Sequence, residues 1–186
     1  IHCCPHINKR STDIFEVVKK AEQLKMYAIG LMDNFSNTSG YASLVKKYLP
    51  KIKLKVFGGL IMEPPSGGVN YENAKISLNY SYFGNDGAKF ISFPTHHTRH
   101  IAKLENRKKD YIKNCFYVPD SGPTAETKKI LRLIAKKNIV LNTGHLSAKE
   151  TINLVKCAKK IGVKKILIPS NTFNLKTISK LKSFKV

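Results

Sequence analysis

Residues 139–168 read IVLNTGHLSAKETINLVKCAKKIGVKKILI. Positions 139–143 form a short apolar run, the length of one strand. Ser147-Ala148-Lys149-Glu150 then makes a capping box, in which a hydroxyl and a carboxylate three positions apart satisfy each other's unpaired backbone N–H groups. The helix opened there runs to Ile161, and Gly162 supplies the left-handed residue that closes it. Residues 165–168 are the next strand. Strand, helix and strand in so short a span make a βαβ unit, whose strands run parallel and whose crossover is right-handed.

The same alternation extends in both directions. A helix spans 124–137 behind Pro123, and residues 88–93 form a strand stopped by Pro94. A further helix is expected over 71–83, after a loop holding Pro64-Pro65 and Gly67-Gly68. In 51–62, Lys51, Lys53 and Lys55 alternate with Ile52, Leu54 and Val56, the period-2 entry of a strand that turns wholly apolar and runs into Gly58-Gly59. A helix over 38–48 is closed by Pro50, and 27–32 is a short strand. Residues 11–25 carry N-caps at Ser11, Thr12 and Asp13, with Glu16 three after Asp13 and an apolar stripe of Ile14, Val17, Val18, Ala21 and Leu24. Residues 1–4 read as the end of a first strand and 172–184 as a last helix. Residues 94–122 are long, irregular and hold three histidines, as functional loops often do.

About six strand–helix repeats in one even composition, without a linker, imply an α/β fold in a single domain over 1–186. An open doubly wound sheet and a (β/α) barrel both fit the alternation. A complete barrel takes eight units and typically about 250 residues. The expectation is therefore an incomplete (β/α) TIM-like barrel of about six parallel strands. The chain opens on Ile1, not Met, and holds about six units where a barrel needs eight, so truncation at both ends is expected.

Composition narrows the function. The net charge of +21 invites a nucleic-acid partner, yet 29 Lys stand against 4 Arg, with 14 Asn. Arg is the side chain that grips phosphates and base edges with two parallel bonds. The lysines come as scattered doublets on the expected helices, so solvated outer faces explain them and nucleic acid is the lesser reading. No apolar run approaches the roughly 18–20 residues of a membrane helix, and no secretory signal pattern opens the chain. Cys3, Cys4, Cys115 and Cys157 show no CxxC, which suits a reducing, cytoplasmic compartment.

In either architecture ligands bind where the strands end. Those positions hold His2, Cys4 and His6, then Asp33 and Asn34, Glu63, the group His96, His97 and His100, His145, and finally Ser170 and Asn171. Every histidine of the chain is among them. His2 and Cys4, two apart, face one side of a strand and offer imidazole and thiolate, both ligands for zinc. His145 could complete such a site from across the barrel. Loop histidines and a small buried cysteine explain the same residues equally well. The glycine pairs fit neither GxGxxG nor a P-loop, and no GxSxG or HExxH occurs.

Five stretches add a resemblance: IHCCPH at 1–6, AIGLMDNFSNTSGYASLV at 28–45, VFGGLIMEPPSGGVN at 56–70, FPTHHTRH at 93–100 and LNTGHLSAKE at 141–150. In this order they resemble an uncharacterised group of amidohydrolase-like, metal-dependent hydrolases, related in barrel style to the PHP phosphoesterases. The resemblance implies a TIM-like barrel and a divalent metal, zinc for preference. It also implies attack by a metal-bound hydroxide on an ester, amide or phosphoester of an unidentified small-molecule substrate. The metal ligands it implies are His2, Cys4 in place of the second histidine of a His-x-His pair, and His145. Ser170 stands where another histidine is expected, and Met32 and Asn34 where related sequences carry Lys and His. The terminal aspartate that serves as base lies beyond Val186, leaving Asp33 and His97 as candidate catalytic groups. With so many positions changed, a catalytically inactive or fragmentary relative serving as a binding module is the alternative.

Overall fold

A computed structural model describes residues 1–84, 86–169 and 173–184. Helix α1 (Ile14–Gln23) follows the Asp13 capping box, and β1 (Ala28–Gly30) comes after it. Helix α2 (Ser39–Tyr48) leads to β2 (Lys55–Phe57), and Gly58 alone separates β2 from β3 (Gly59–Ile61). After a 3-10 turn over Pro64–Ser66 come α3 (Tyr71–Ser77) and β4 (Phe90–Ser92). Two short helices, α4 (Arg99–Leu104) and α5 (Lys109–Asn114), precede α6 (Ala125–Lys137) and β5 (Val140–Asn142). Helix α7 (Ala148–Ile161), β6 (Lys165–Leu167) and α8 (Leu175–Lys182) end the order.

Every strand pairing is parallel, and neighbours in space are neighbours in sequence: β1 with β2, then β3, β4, β5 and β6 in turn. The expected single sheet is instead two, divided at Gly58. One side chain makes the division. The ladder between β1 and β2 reaches Leu31 N–H, which donates to Phe57 O at 2.8 Å. At the next rung the Thr38 hydroxyl stands in the way. It donates to Leu31 O at 2.6 Å and accepts from Gly59 N–H at 3.0 Å, so the two backbones meet through a side chain. Only a glycine fits beside it, because a Cβ on Gly58 would lie 2.2 Å from the Thr38 carbonyl oxygen.

Three further expectations change. The first strand survives only as an exchange in which the Ile1 amino group donates to Gly30 O and Met32 N–H to Ile1 O, plus an isolated parallel bridge from Cys4 to Asp13. Pro5 has no N–H with which to extend that ladder. The helix expected over 71–83 stops at Ser77, because α2 captures the residues beyond it. Ser39 Oγ donates to Tyr80 O at 2.6 Å, and Ser43 Oγ accepts from Tyr82 N–H at 2.7 Å. The irregular stretch 94–122 contains α4 and α5, held together by a parallel bridge from Thr98 to Phe116.

The core has two parts. Val18, Leu31, Val45 and Val56 pack under β1 and β2 with α1 and α2. A larger cluster, including Leu60, Ile91, Phe93, Ile134, Leu141 and Leu154, joins β3, β4 and β5 to α6 and α7. Complete burial of one such side chain stabilises by roughly 1.5–3 kcal/mol. At the far edge, Leu167 of β6 is 49% exposed.

Candidate functional site

The strand ends carry the polar side chains to one face. Glu63, just past β3, is 3% exposed. Its Oε1 accepts from Thr95 N–H at 2.6 Å, the Thr95 hydroxyl at 2.9 Å and His96 N–H at 2.6 Å. Its Oε2 accepts from His97 N–H at 3.0 Å. Three successive amides thus wrap one carboxylate, which holds the turn after β4 as a bound anion would. The Thr95 hydroxyl also lies 3.2 Å from Asn34 Oδ1, bringing the turn after β1 to the same place.

His145 comes to this turn by a close backbone approach. Its N–H donates to Pro94 O at 3.1 Å, and Thr98 Oγ1 donates to His145 O at 2.9 Å. Gly144 permits the approach: its φ is +67°, and a Cβ there would stand 2.2 Å from Pro94 O. The His145 ring lies 6.5 Å from that of His96. Burial holds the His145 imidazole below its ordinary pKa, and neighbouring His96 adds to the shift.

A second group forms on the N-terminal side. The rings of His2 and His6 meet edge to face at 5.6 Å. His6 Nδ1 accepts from Asn8 N–H at 3.0 Å, and its Nε2 lies 3.6 Å from Asp33 Oδ1. Arg10 Nη2 sits 3.3 Å from that same Nε2. His2 has a lowered pKa, chiefly from burial and then from nearby positive charge, Arg10 included.

A family model described as "Family of unknown function (DUF6282)" matches residues 1–184. The chain belongs to this family. No curated protein sequence matches it. Among solved structures, histidinol phosphate phosphatase from Lactococcus lactis subsp. lactis Il1403, complexed with zinc, L-histidinol and phosphate, is similar at 13% identity and a TM-score of 0.39. That alignment covers 99% of this chain and 90% of that one. A likeness of this size fixes neither the fold nor the site.

In this DUF6282 chain the expected ligands His2, Cys4 and His145 are distributed between two groups. Among the described residues, no group of three or more His, Cys, Asp or Glu could hold a metal ion. His2 belongs to the Arg10 group and His145 to the Glu63 group. The Cys4 thiol donates to Arg10 O at 3.6 Å. The nearby carboxylates turn to backbone and hydroxyl donors: both Glu63 oxygens to the 95–97 turn, Asp33 Oδ1 to Phe35 N–H and Asp33 Oδ2 to the Ser36 hydroxyl. The Arg10 guanidinium lies beside His6, with Nη2 3.3 Å from Nε2. As arranged, these residues do not fit a divalent metal.

Neither candidate base stands free. Asp33, 6% exposed, caps its own turn through those two bonds. His97 is turned toward α5, with Nε2 donating to Asn114 O at 3.1 Å and Nδ1 facing the Tyr111 hydroxyl at 3.3 Å. Ser170, the other expected ligand position, lies outside the described residues. Glu63 organises one group and Arg10 the other; the sequence placed Glu63 among the strand-end residues without giving it a role and passed over Arg10. Glu63 did show itself as the one acidic residue directly after the most apolar strand.

Proposed function

We propose that this chain is a catalytically inactive relative of the amidohydrolase-like hydrolases, a barrel-type scaffold that serves as a binding module for a small molecule. One observation carries the reading: among the described residues, the expected ligands are not gathered into any group of three or more His, Cys, Asp or Glu that could hold a metal ion. The strand order supports an incomplete (β/α) barrel in one domain, since a doubly wound sheet would reverse its order partway. The exposed β6 edge supports further βα units in a longer protein. Four free cysteines suit a cytoplasmic setting, and no helix among the described residues is long and apolar enough to cross a membrane.

The test is zinc content after chelator-free purification, together with turnover of p-nitrophenyl phosphate and p-nitrophenyl acetate with zinc supplied. The reading expects well under one zinc per chain and no metal-dependent turnover. A second reading is metal-dependent hydrolysis with zinc on His2, Cys4 and His145 and with Asp33 or His97 as base. One feature favours it: His2 Nδ1 is buried without a hydrogen-bond partner. Stoichiometric zinc with turnover, both abolished by His145→Ala, would replace the first reading with the second.

A further inference from the structure

Beside the Glu63 turn, a cavity of about 770 Å³ opens between the Pro64–Val69 loop, the end of α5 and the start of α6. That volume lies within the range of small-molecule sites, roughly 300–1,000 Å³. One side is apolar, formed by Met62, Val69 and Phe116, the last stacked on Phe93 at 5.1 Å with the rings nearly parallel. The other side carries Arg99 and Lys113.

Arg99 is held ready for a ligand. Its guanidinium carbon stands 3.4 Å from the centre of the Tyr117 ring, and Nη2 donates to Lys113 O at 3.2 Å. These contacts fix the plane of the fork and leave Nη1 without a partner among the described residues, while the unpartnered Nε is buried. Neither Arg99 nor Lys113 pairs with a carboxylate among the described residues. The one carboxylate on the cavity wall, Glu126, is spent: it accepts from Tyr71 N–H at 2.7 Å and lies 3.7 Å from Lys129 Nζ. An oriented, unpaired guanidinium beside an apolar wall suits an oxyanion carried on an apolar body.

We propose that this cavity binds a small molecule made of an apolar body ending in a carboxylate or phosphate, with Arg99 gripping the oxyanion. The proposal rests on the binding-module reading only in taking the chain to bind a small molecule. The test titrates the purified chain with phenyl phosphate, phenylacetate, inorganic phosphate and benzyl alcohol, following amide shifts by NMR. The expected result is saturable binding of phenyl phosphate or phenylacetate, at least about tenfold tighter than inorganic phosphate or benzyl alcohol, with shifts at Gly67, Gly68, Phe116 and Tyr117. The tighter of the two aryl probes identifies the oxyanion. Arg99→Met should weaken it about tenfold or more, as loss of a charged hydrogen-bond donor does. Val69→Trp, which fills the apolar side, should abolish binding and decides the matter if Arg99→Met fails to fold. Lys180→Met, which removes a charge from α8, should change nothing. Inorganic phosphate binding as well as the aryl probes, indifference to Arg99→Met and Val69→Trp, or shifts centred on His96 and His145 would overturn the proposal. Zinc content bears on the binding-module reading and leaves this result untouched.

Discussion

Glu63→Ala should be the most damaging polar substitution on the strand-end face, and its cost can be worked from the contacts. The carboxylate is buried and accepts four bonds, three from the successive N–H groups of Thr95, His96 and His97 and one from the Thr95 hydroxyl. Alanine leaves all four donors without that partner. A hydrogen bond to a charged group contributes about 1.5–3 kcal/mol, and an orphaned buried donor costs about 1–3 kcal/mol. Four donors on one group do not add, and water will enter the space, so about 3–5 kcal/mol is expected against a total stability of about 5–15 kcal/mol. Glu63→Gln separates the contributions. Its amide oxygen can keep the three donors now on Oε1, while its NH2 must face the His97 N–H, so one bond of four is lost and about 1–2 kcal/mol is expected. Urea denaturation followed by circular dichroism measures both, and hydrogen exchange at residues 95–97 localises the effect. Equal costs for the two variants, or a cost under about 1 kcal/mol for alanine, would refute the view that this carboxylate organises the site.

Thr38→Val removes the hydroxyl that joins Leu31 O to Gly59 N–H and should cost about 2–3 kcal/mol in urea denaturation, whereas Thr38→Ser should cost under about 1 kcal/mol; a neutral valine would mean that the two sheets close on each other unaided. The pH dependence comes from the lowered pKa values of His2 and His145. Both stay neutral in the folded chain at pH values where the unfolded chain, with an ordinary value near 6.5, takes up protons. Their contribution is therefore complete above about 6.5 and is lost as the pH falls below it, toward the lower folded values. The slope per histidine should fall well short of the ceiling of about 1.4 kcal/mol per pH unit, because both rings keep some contact with solvent. Urea midpoints at pH 7.5 and 5.5 should differ less in His145→Gln than in the natural chain, and an unchanged difference would count against the assignment.

Local chemistry made much of this fold legible in the sequence. The Ser147–Glu150 box and Gly162 are read correctly because a cap is satisfied by residues within a few positions of it, and α7 runs between them. Alternating apolar runs and helical stripes likewise announced parallel strands joined by helices. What the sequence missed depends on partners far along the chain. Nothing near Thr38 says that its hydroxyl will sit between Leu31 and Gly59, or that α2 will capture Tyr80 and Tyr82 and end α3 early. The site divides in the same way. That Asp33, Glu63, His96 and His145 come to the same end of the strands is a consequence of the topology, since each follows a strand by a few residues. Whether they hold a metal depends on side-chain geometry. The Cys4 thiol turns to Arg10 O, Arg10 folds back onto His6, and Glu63 turns to the amides of 95–97. Sequence alone determined the alternation and the end of the strands where the histidines gather, because backbone periodicity is local. Only the tertiary structure decided that Arg10 folds back onto His6 and that Glu63 gathers the amides of 95–97, because a buried carboxylate or imidazole takes whatever donor the packed chain brings within about 3 Å.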